Sequence, residues 1–330
     1  MQPAYSCTEA ERQAQRQFVN HTQSRCPIWN VFWRTIFPTL DCRNLVFIDV
    51  GANKGYNFAE WISLWRPKLG IHPRSLHEFL KNNKTGVKYV CGACGDCTSG
   101  TELMPRECSH QLGRLHLIGF EPLPENMKLL KEGIMTQLER AKGVAKSPPE
   151  VHLDIYQRAI VADSKTRHVS MPACTAGQED CGVLTSREGV EHVDVPATTL
   201  DSFFFAEGRN PAHVDILLID TEGLDPDVMH GGRRLLRRVT YLFFEYHYKR
   251  SWAKTTLKAV VNDLNNQGFD CFLMLRRTVL RLTGCWVSAM EFKQWSNVAC
   301  VNRNHPDAIY AMTRLEQLPL GRKKLPHIST

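Results

Sequence analysis

The sequence lacks any run of 18 apolar residues and so offers no ordinary membrane-spanning helix. Its first stretch, Met1 to Arg25, is polar and has none of the apolar core that a signal peptide requires. If Met1 is the natural start, the expectation is a cytoplasmic chain. No internal repeat is present, which sets repeat architectures aside. Charge of one sign is scarce as well, with a net +7 spread over 330 residues. Its densest cluster, Arg233, Arg234, Arg237 and Arg238, recurs at helical spacing and reads as a solvated helix face. A nucleic-acid partner is therefore not expected.

What is present suffices for a sizeable core. Hydrophobic residues make up 43% and charged residues 23%, ordinary values for a globular chain of one large domain or two small ones. The informative stretch is Leu45-Val-Phe-Ile-Asp-Val-Gly-Ala-Asn-Lys-Gly55. An apolar, β-favouring run meets a turn of small residues, and Phe58, Trp61, Ile62 and Trp65 then repeat at helical spacing. A buried strand, a tight turn and a helix are expected. Such a turn lets backbone approach a ligand and presents it to the free N–H groups of the helix start.

Further strands are expected at 115–121, 151–156, 214–220, 239–246, 269–275 and 297–301, alternating with helical patterns that begin after Pro124, at Asp225 and near Leu257. Strands alternating with helices predict an α/β fold, a mainly parallel doubly wound sheet with helices on both faces. Residues 1–44 read as an N-terminal extension whose apolar patch, Ile28 to Ile36, packs against the core or over the site. The main domain is expected over 45–305 and a C-terminal tail over 306–330. The stretch from about 67 to 113, rich in proline, glycine and cysteine, reads as an insertion.

That insertion holds Cys91, Cys94, Cys97 and Cys108, with His110 close by, out of 12 cysteines in the chain. As thiolates they suit structural zinc; in an oxidising compartment they pair as disulfides, which would place the chain in the secretory pathway; as plain loop cysteines they do neither. The spacing leaves all three open, because a full pair of C-x2-C motifs is missing.

In a sheet of this kind ligands sit beyond the carboxyl ends of the strands, where strand order reverses. The turn from Gly51 to Gly55, Glu121, and Asp220-Thr-Glu222 all fall there. A carboxylate at the end of the second strand suits the two hydroxyls of a ribose. The turn Gly51-Ala-Asn-Lys-Gly55 departs from the G-x-G-x-x-G spacing that a pyrophosphate needs, which argues against NAD. S-adenosyl-L-methionine has no pyrophosphate, and Asp49 and Asp220 are placed to serve its amino-acid end.

Five segments occur in order: Asp49-Val-Gly-Ala-Asn-Lys-Gly55, Phe120-Glu-Pro-Leu-Pro-Glu-Asn126, Thr199-Leu-Asp201, Ile219-Asp-Thr-Glu-Gly223 and Phe244-Glu-Tyr-His247. Together they resemble the FkbM family of S-adenosyl-L-methionine-dependent methyltransferases, of the Rossmann-like class I, over about residues 45–275. The resemblance implies an enzyme that methylates a hydroxyl of a sugar or small-molecule acceptor. It implies cofactor binding by Asp49, Gly51, Asn53, Gly55, Glu121 and Asp220. Asp220, Glu222 and Gly223 stand on the family's I-D-x-E-G motif, while Leu218 stands where the family often has Lys. That departure keeps a non-catalytic, cofactor- or partner-binding descendant as an alternative. His247, after the fifth strand, is the candidate general base, with Asp220 and Glu222 to position the reactants. Tyr56, Tyr246 and Trp252 are expected either to line the acceptor pocket or to sit in the core. No motif names the acceptor or the oligomeric state.

Overall fold

Largely apolar runs such as Val214–Ile219 and Val239–Tyr246 lack the alternation of a half-exposed strand, and every residue in both is buried. The computed structural model describes residues 6–19, 29–36, 40, 44–82, 87, 91, 97, 113–142, 151–178, 181, 191–275 and 278–316. Its centre is an eight-stranded sheet. In spatial order the strands are β3 (Val151–Tyr156), β2 (Arg114–Phe120), β1 (Asn44–Val50), β7 (Val214–Ile219), β8 (Val239–Tyr246), β11 (Ser296–Asn302), β9 (Phe269–Met274) and β10 (Val279–Arg281). The pairs from β3 to β8 are parallel. The last long strand, β11, slots antiparallel between β8 and β9. The fold is thus mixed α/β with a mostly parallel sheet, and residue pattern alone could not show that the final strand would reverse.

Alternate residues of each strand feed two cores. Phe47, Ile216, Leu218, Tyr241 and Phe243 face one side with α3 (Tyr56–Trp65), α4 (Pro73–Asn82) and α5 (Pro124–Lys142). Ile48, Val50, Leu217, Ile219, Leu242 and Phe244 face the other with α6 (Asp225–Gly231), α7 (Arg233–Leu236) and α9 (Leu257–Asn266). Thr199-Leu-Asp201 enters a π-helical turn, Ser202–Ala206. Asp201 there accepts the Arg234 and Leu235 N–H groups at 2.9 Å each, an anion at the start of α7. A small second sheet holds β4 (Ala159–Ile160), β6 (His192–Thr198) and β5 (His168–Pro172).

The stretch read as an insertion is partly integral. Leu76 and Leu80 of α4 are buried in the first core, and α4 packs on α3 and α5. Both flanks of the chain join that core too. Helix α2 (Trp29–Ile36) lays Phe32 5.0 Å from Phe243 and Trp33 5.0 Å from Trp61, between ring centroids. Helix α10 (Pro306–Glu316), in the stretch expected as a tail, packs against α2 with Ala308, Ala311, Met312 and Leu315 buried. Its apolar residues recur every three or four positions, the stripe that core-facing helices carry.

Each described cysteine is in a disulfide: Cys7–Cys285, Cys91–Cys97, Cys174–Cys181 and Cys271–Cys300. Cys91 and Cys97, expected as zinc thiolates or disulfide partners, are joined to each other. A sulfur so oxidised offers no thiolate to a metal. Cys94, Cys108 and His110 lie outside the described residues. Among the described residues no helix is long and apolar enough to cross a membrane.

Candidate functional site at the switch point of the sheet

From β1 the chain winds outward through β2 and β3, then returns to the other side of β1 for β7 and β8, so strand order reverses between β1 and β7. Register pairs Val50 with Phe120 on one side and Ile219 on the other. The next residue of each strand, Gly51, Glu121 and Asp220, therefore emerges at one level. The Asp220 N–H donates to the Val50 carbonyl at 2.8 Å, and the Gly51 N–H to the Phe120 carbonyl at 2.9 Å. Gly51 has φ +98°, and a Cβ there would lie 1.8 Å from the Asp220 carbonyl oxygen. No residue with a side chain fits without moving backbone. Asn53 (φ 45°) and Gly55 (φ 91°) are also left-handed, and they turn the chain into α3.

Two carboxylates flank this turn. Asp49 is fully buried. Asn57 Nδ2 donates to its Oδ2 at 3.1 Å, while Oδ1 is buried without a hydrogen-bond partner. Burial pushes its pKa up to about 7, partly opposed by the Asn57 bond. Glu121, also buried, accepts the Asn53 N–H at 2.8 Å and the Leu123 N–H at 2.9 Å. Burial raises it to about 7 as well; those donors pull it down and the Asp49 charge pushes it further up. A buried acid poised near neutrality, with one oxygen unengaged, favours an incoming cationic or hydroxylated group over none.

A disulfide-closed loop covers the turn. Lys54 is buried and its Nζ donates to the Gly177 carbonyl at 2.8 Å, while Asn53 Nδ2 donates to the Gln178 carbonyl at 3.2 Å. The Gly177 N–H donates in turn to Asn126 Oδ1 at 2.7 Å. Gly177 and Gln178 lie between Cys174 and Cys181.

A second group gathers after β7 and β8. Asp220 is exposed and Glu222 half-buried with φ 55°. Lys249 Nζ is 3.4 Å from a Glu222 oxygen, and Arg250 Nη1 donates to the Glu222 carbonyl at 3.0 Å. Asp225 is buried, accepting the Glu245 N–H at 3.2 Å and the Gly223 N–H at 3.3 Å, and burial lifts it to about 7. Glu245 is raised well above its ordinary value by burial and then by the Asp220, Glu222 and Asp225 charges, against the pull of Lys249. His247 is lowered to about 4 by burial and by Lys249 and Arg250. Its Nδ1 accepts the Lys249 N–H at 3.3 Å, and its Nε2 lies 3.3 Å from Glu245 Oε2.

The structure thus brings Asp49, Gly51, Asn53, Gly55 and Glu121 together around one turn, beside Asp220, and sets Glu222 with His247. It adds Asn57, which steadies Asp49, and the loop segment Gly177-Gln178, and it gives places at the site to Lys54, Asp225 and Glu245, which the sequence patterns contain without a role. Asn57 follows Asp49 by eight positions across the turn, a reach that only the strand–turn–helix geometry makes visible. Tyr246 and Trp252 sit in the second core: both are fully buried, with rings 5.0 Å apart, and the Tyr246 hydroxyl donates to Glu291 at 2.9 Å. Leu218 packs in the first core.

A family model described as the methyltransferase FkbM domain matches residues 49–271. A search of curated proteins finds no match.

Proposed function

The chain belongs to the FkbM methyltransferase family, and from that premise we propose that it moves the methyl group of S-adenosyl-L-methionine onto a hydroxyl oxygen of a sugar or other small acceptor. The observation that carries the reading is the buried Asp49 Oδ1, unengaged beside a turn whose Gly51 admits only backbone. Strand order supports a Rossmann-like class I methyltransferase, with β1 central and one reversed strand inserted near the far edge.

When bound, the cofactor supplies its methyl as an electrophile on a sulfonium. Asp49 would hold the cationic amino-acid end, Gly51 and Gly55 would let backbone approach it, Asn53 shapes the turn, and Glu121 would accept the ribose hydroxyls. Asp220 would serve the same end and, with Glu222, would orient the acceptor for in-line transfer. Transfer would form the oxygen–carbon bond as the carbon–sulfur bond breaks, and His247 is the side chain that would take the hydroxyl proton. That imidazole is neutral at pH 7, the state a proton acceptor needs. The disulfides support an oxidising compartment, and with it the secretory pathway, over the cytoplasm expected from the polar N-terminal stretch.

The test is transfer of a labelled methyl group from S-adenosyl-L-methionine to a panel of glycosides and hydroxylated small molecules. Label should appear on an ether oxygen with the wild type and fall at least a hundredfold with His247→Ala. Label on nitrogen or sulfur, or no turnover with any acceptor while cofactor binds, would overturn the oxygen-transfer reading.

A further inference from the structure

We propose that Glu222, Glu245 and His247 form a binding site for one divalent metal ion, separate from the cofactor turn. Each offers a donor atom, and these atoms all lie within 4.8 Å of one another. Glu222 lies in the loop after β7, Glu245 is the second-last residue of β8, and His247 follows the end of that strand.

Clustered acids alone would mean little. Here the two deepest donors also lack partners: Glu245 Oε2 and His247 Nε2 are buried, and neither makes a hydrogen bond. They stand 3.3 Å apart without the alignment of a hydrogen bond. That separation is the edge of a coordination polyhedron: two ligands at roughly 2.1 Å from a tetrahedral or octahedral ion lie roughly 3.0–3.4 Å apart. Leaving two such groups buried and unsatisfied costs folding free energy, and an ion between them removes that cost.

Glu222 completes the set from the solvent side. Its left-handed backbone, φ 55°, and the Arg250 bond to its carbonyl hold the peptide in place while its carboxylate stays half-exposed. Lys249 Nζ, 3.4 Å from that carboxylate, shows that the position already attracts a cation; its side chain is 41% exposed and has room to swing away. An ion on Nε2 puts the ring proton on Nδ1 and gives up the 3.3 Å contact from the Lys249 N–H, a weak bond at that length. Two carboxylates and one imidazole suit a borderline ion of the Mn2+, Fe2+ or Zn2+ kind, and three protein donors leave open positions for other ligands.

The consequence for chemistry rests on the proposed methyl transfer. An acceptor hydroxyl on an open position of the ion becomes more acidic. With the ion bound, His247 would serve as a ligand in place of the proton-acceptor role it has in the ion-free protein; the hydroxyl proton would pass to water, and the oxygen would take the methyl as the carbon–sulfur bond breaks.

The probe is Mn2+ itself, titrated into the full chain with disulfides intact after chelator treatment, with free ion followed by electron paramagnetic resonance. One equivalent should bind at micromolar concentration, and Glu245→Gln and Glu222→Gln should each weaken binding by at least tenfold. Glu222→Gln alters a half-exposed side chain and keeps the test open if Glu245→Gln fails to fold. Calorimetry with S-adenosylhomocysteine, run on the same samples, reads the cofactor turn independently. No Mn2+ binding at millimolar concentration, or equal binding by wild type and both variants, overturns the metal site whatever the calorimetry shows. Mn2+ bound without S-adenosylhomocysteine supports the site and removes the methyl-transfer reading instead.

Discussion

Asp49→Asn should stabilise the protein at pH 8 while removing its capacity to bind cofactor. The carboxyl of Asp49 titrates at 3.8 in an unfolded chain and at about 7 in this fold, because burial disfavours its charge. A group whose folded pKa is raised gives full stability below its unfolded pKa and loses it as pH climbs through the folded value. The loss for Asp49 therefore develops between pH 4 and pH 7. At about 1.4 kcal/mol per unit, a shift of about three units sets a ceiling of about 4 kcal/mol. Asparagine carries no charge to bury, and its carbonyl can keep the bond from Asn57. Its amide then occupies the unengaged Oδ1 position, which returns a cost of about 1–2 kcal/mol. Net, the variant should gain roughly 2–3 kcal/mol at pH 8 and lose roughly 1–2 kcal/mol at pH 4. Urea unfolding of both proteins at the two pH values measures this. A difference between variant and wild type that does not change with pH would refute the assignment of Asp49 as a buried, function-bearing acid.

Other perturbations separate scaffold from site. Gly51→Ala drives a Cβ into the Asp220 carbonyl at positive φ, and should cost about 2–4 kcal/mol in denaturant unfolding together with most cofactor affinity. Glu121→Ala should abolish cofactor binding with little change in midpoint at pH 8, since two backbone N–H groups lose their acceptor while a buried charge is removed. Replacing Cys174 and Cys181 by serine frees the loop whose Gly177 and Gln178 carbonyls hold Lys54 and Asn53; cofactor affinity should fall about tenfold by calorimetry with the far-ultraviolet spectrum unchanged.

Much of this arrangement was readable in the residues because it depends on local rules. Largely apolar runs marked β7 and β8, and glycines at 51 and 55 marked a turn where a side chain would collide or strain. Long-range pairing was not readable. Nothing in the pattern of Ser296–Asn302 says that the strand runs backwards between β8 and β9, since period alone carries no direction. Helix α4 hid inside a proline- and glycine-rich stretch, and α10 looked like a tail because its partner, α2, lies at the other end of the chain. The site was legible where strand ends supply it, at Asp49, Glu121 and Asp220. It was obscure where segments distant in sequence meet, as with the Gly177 carbonyl on Lys54, or Asp225 accepting the Glu245 N–H. Cysteine spacing alone left zinc and disulfides open, and spatial proximity made the pairs.

The central claim is that the turn from Gly51 to Gly55, between Asp49 and Glu121, is an S-adenosyl-L-methionine site. Calorimetric titration of the full chain with S-adenosyl-L-methionine and, separately, with NAD tests it most directly. Saturable one-to-one binding of S-adenosyl-L-methionine, lost in Glu121→Ala, and no heat with NAD are expected. Binding of NAD, or undiminished S-adenosyl-L-methionine binding by Glu121→Ala, would contradict it.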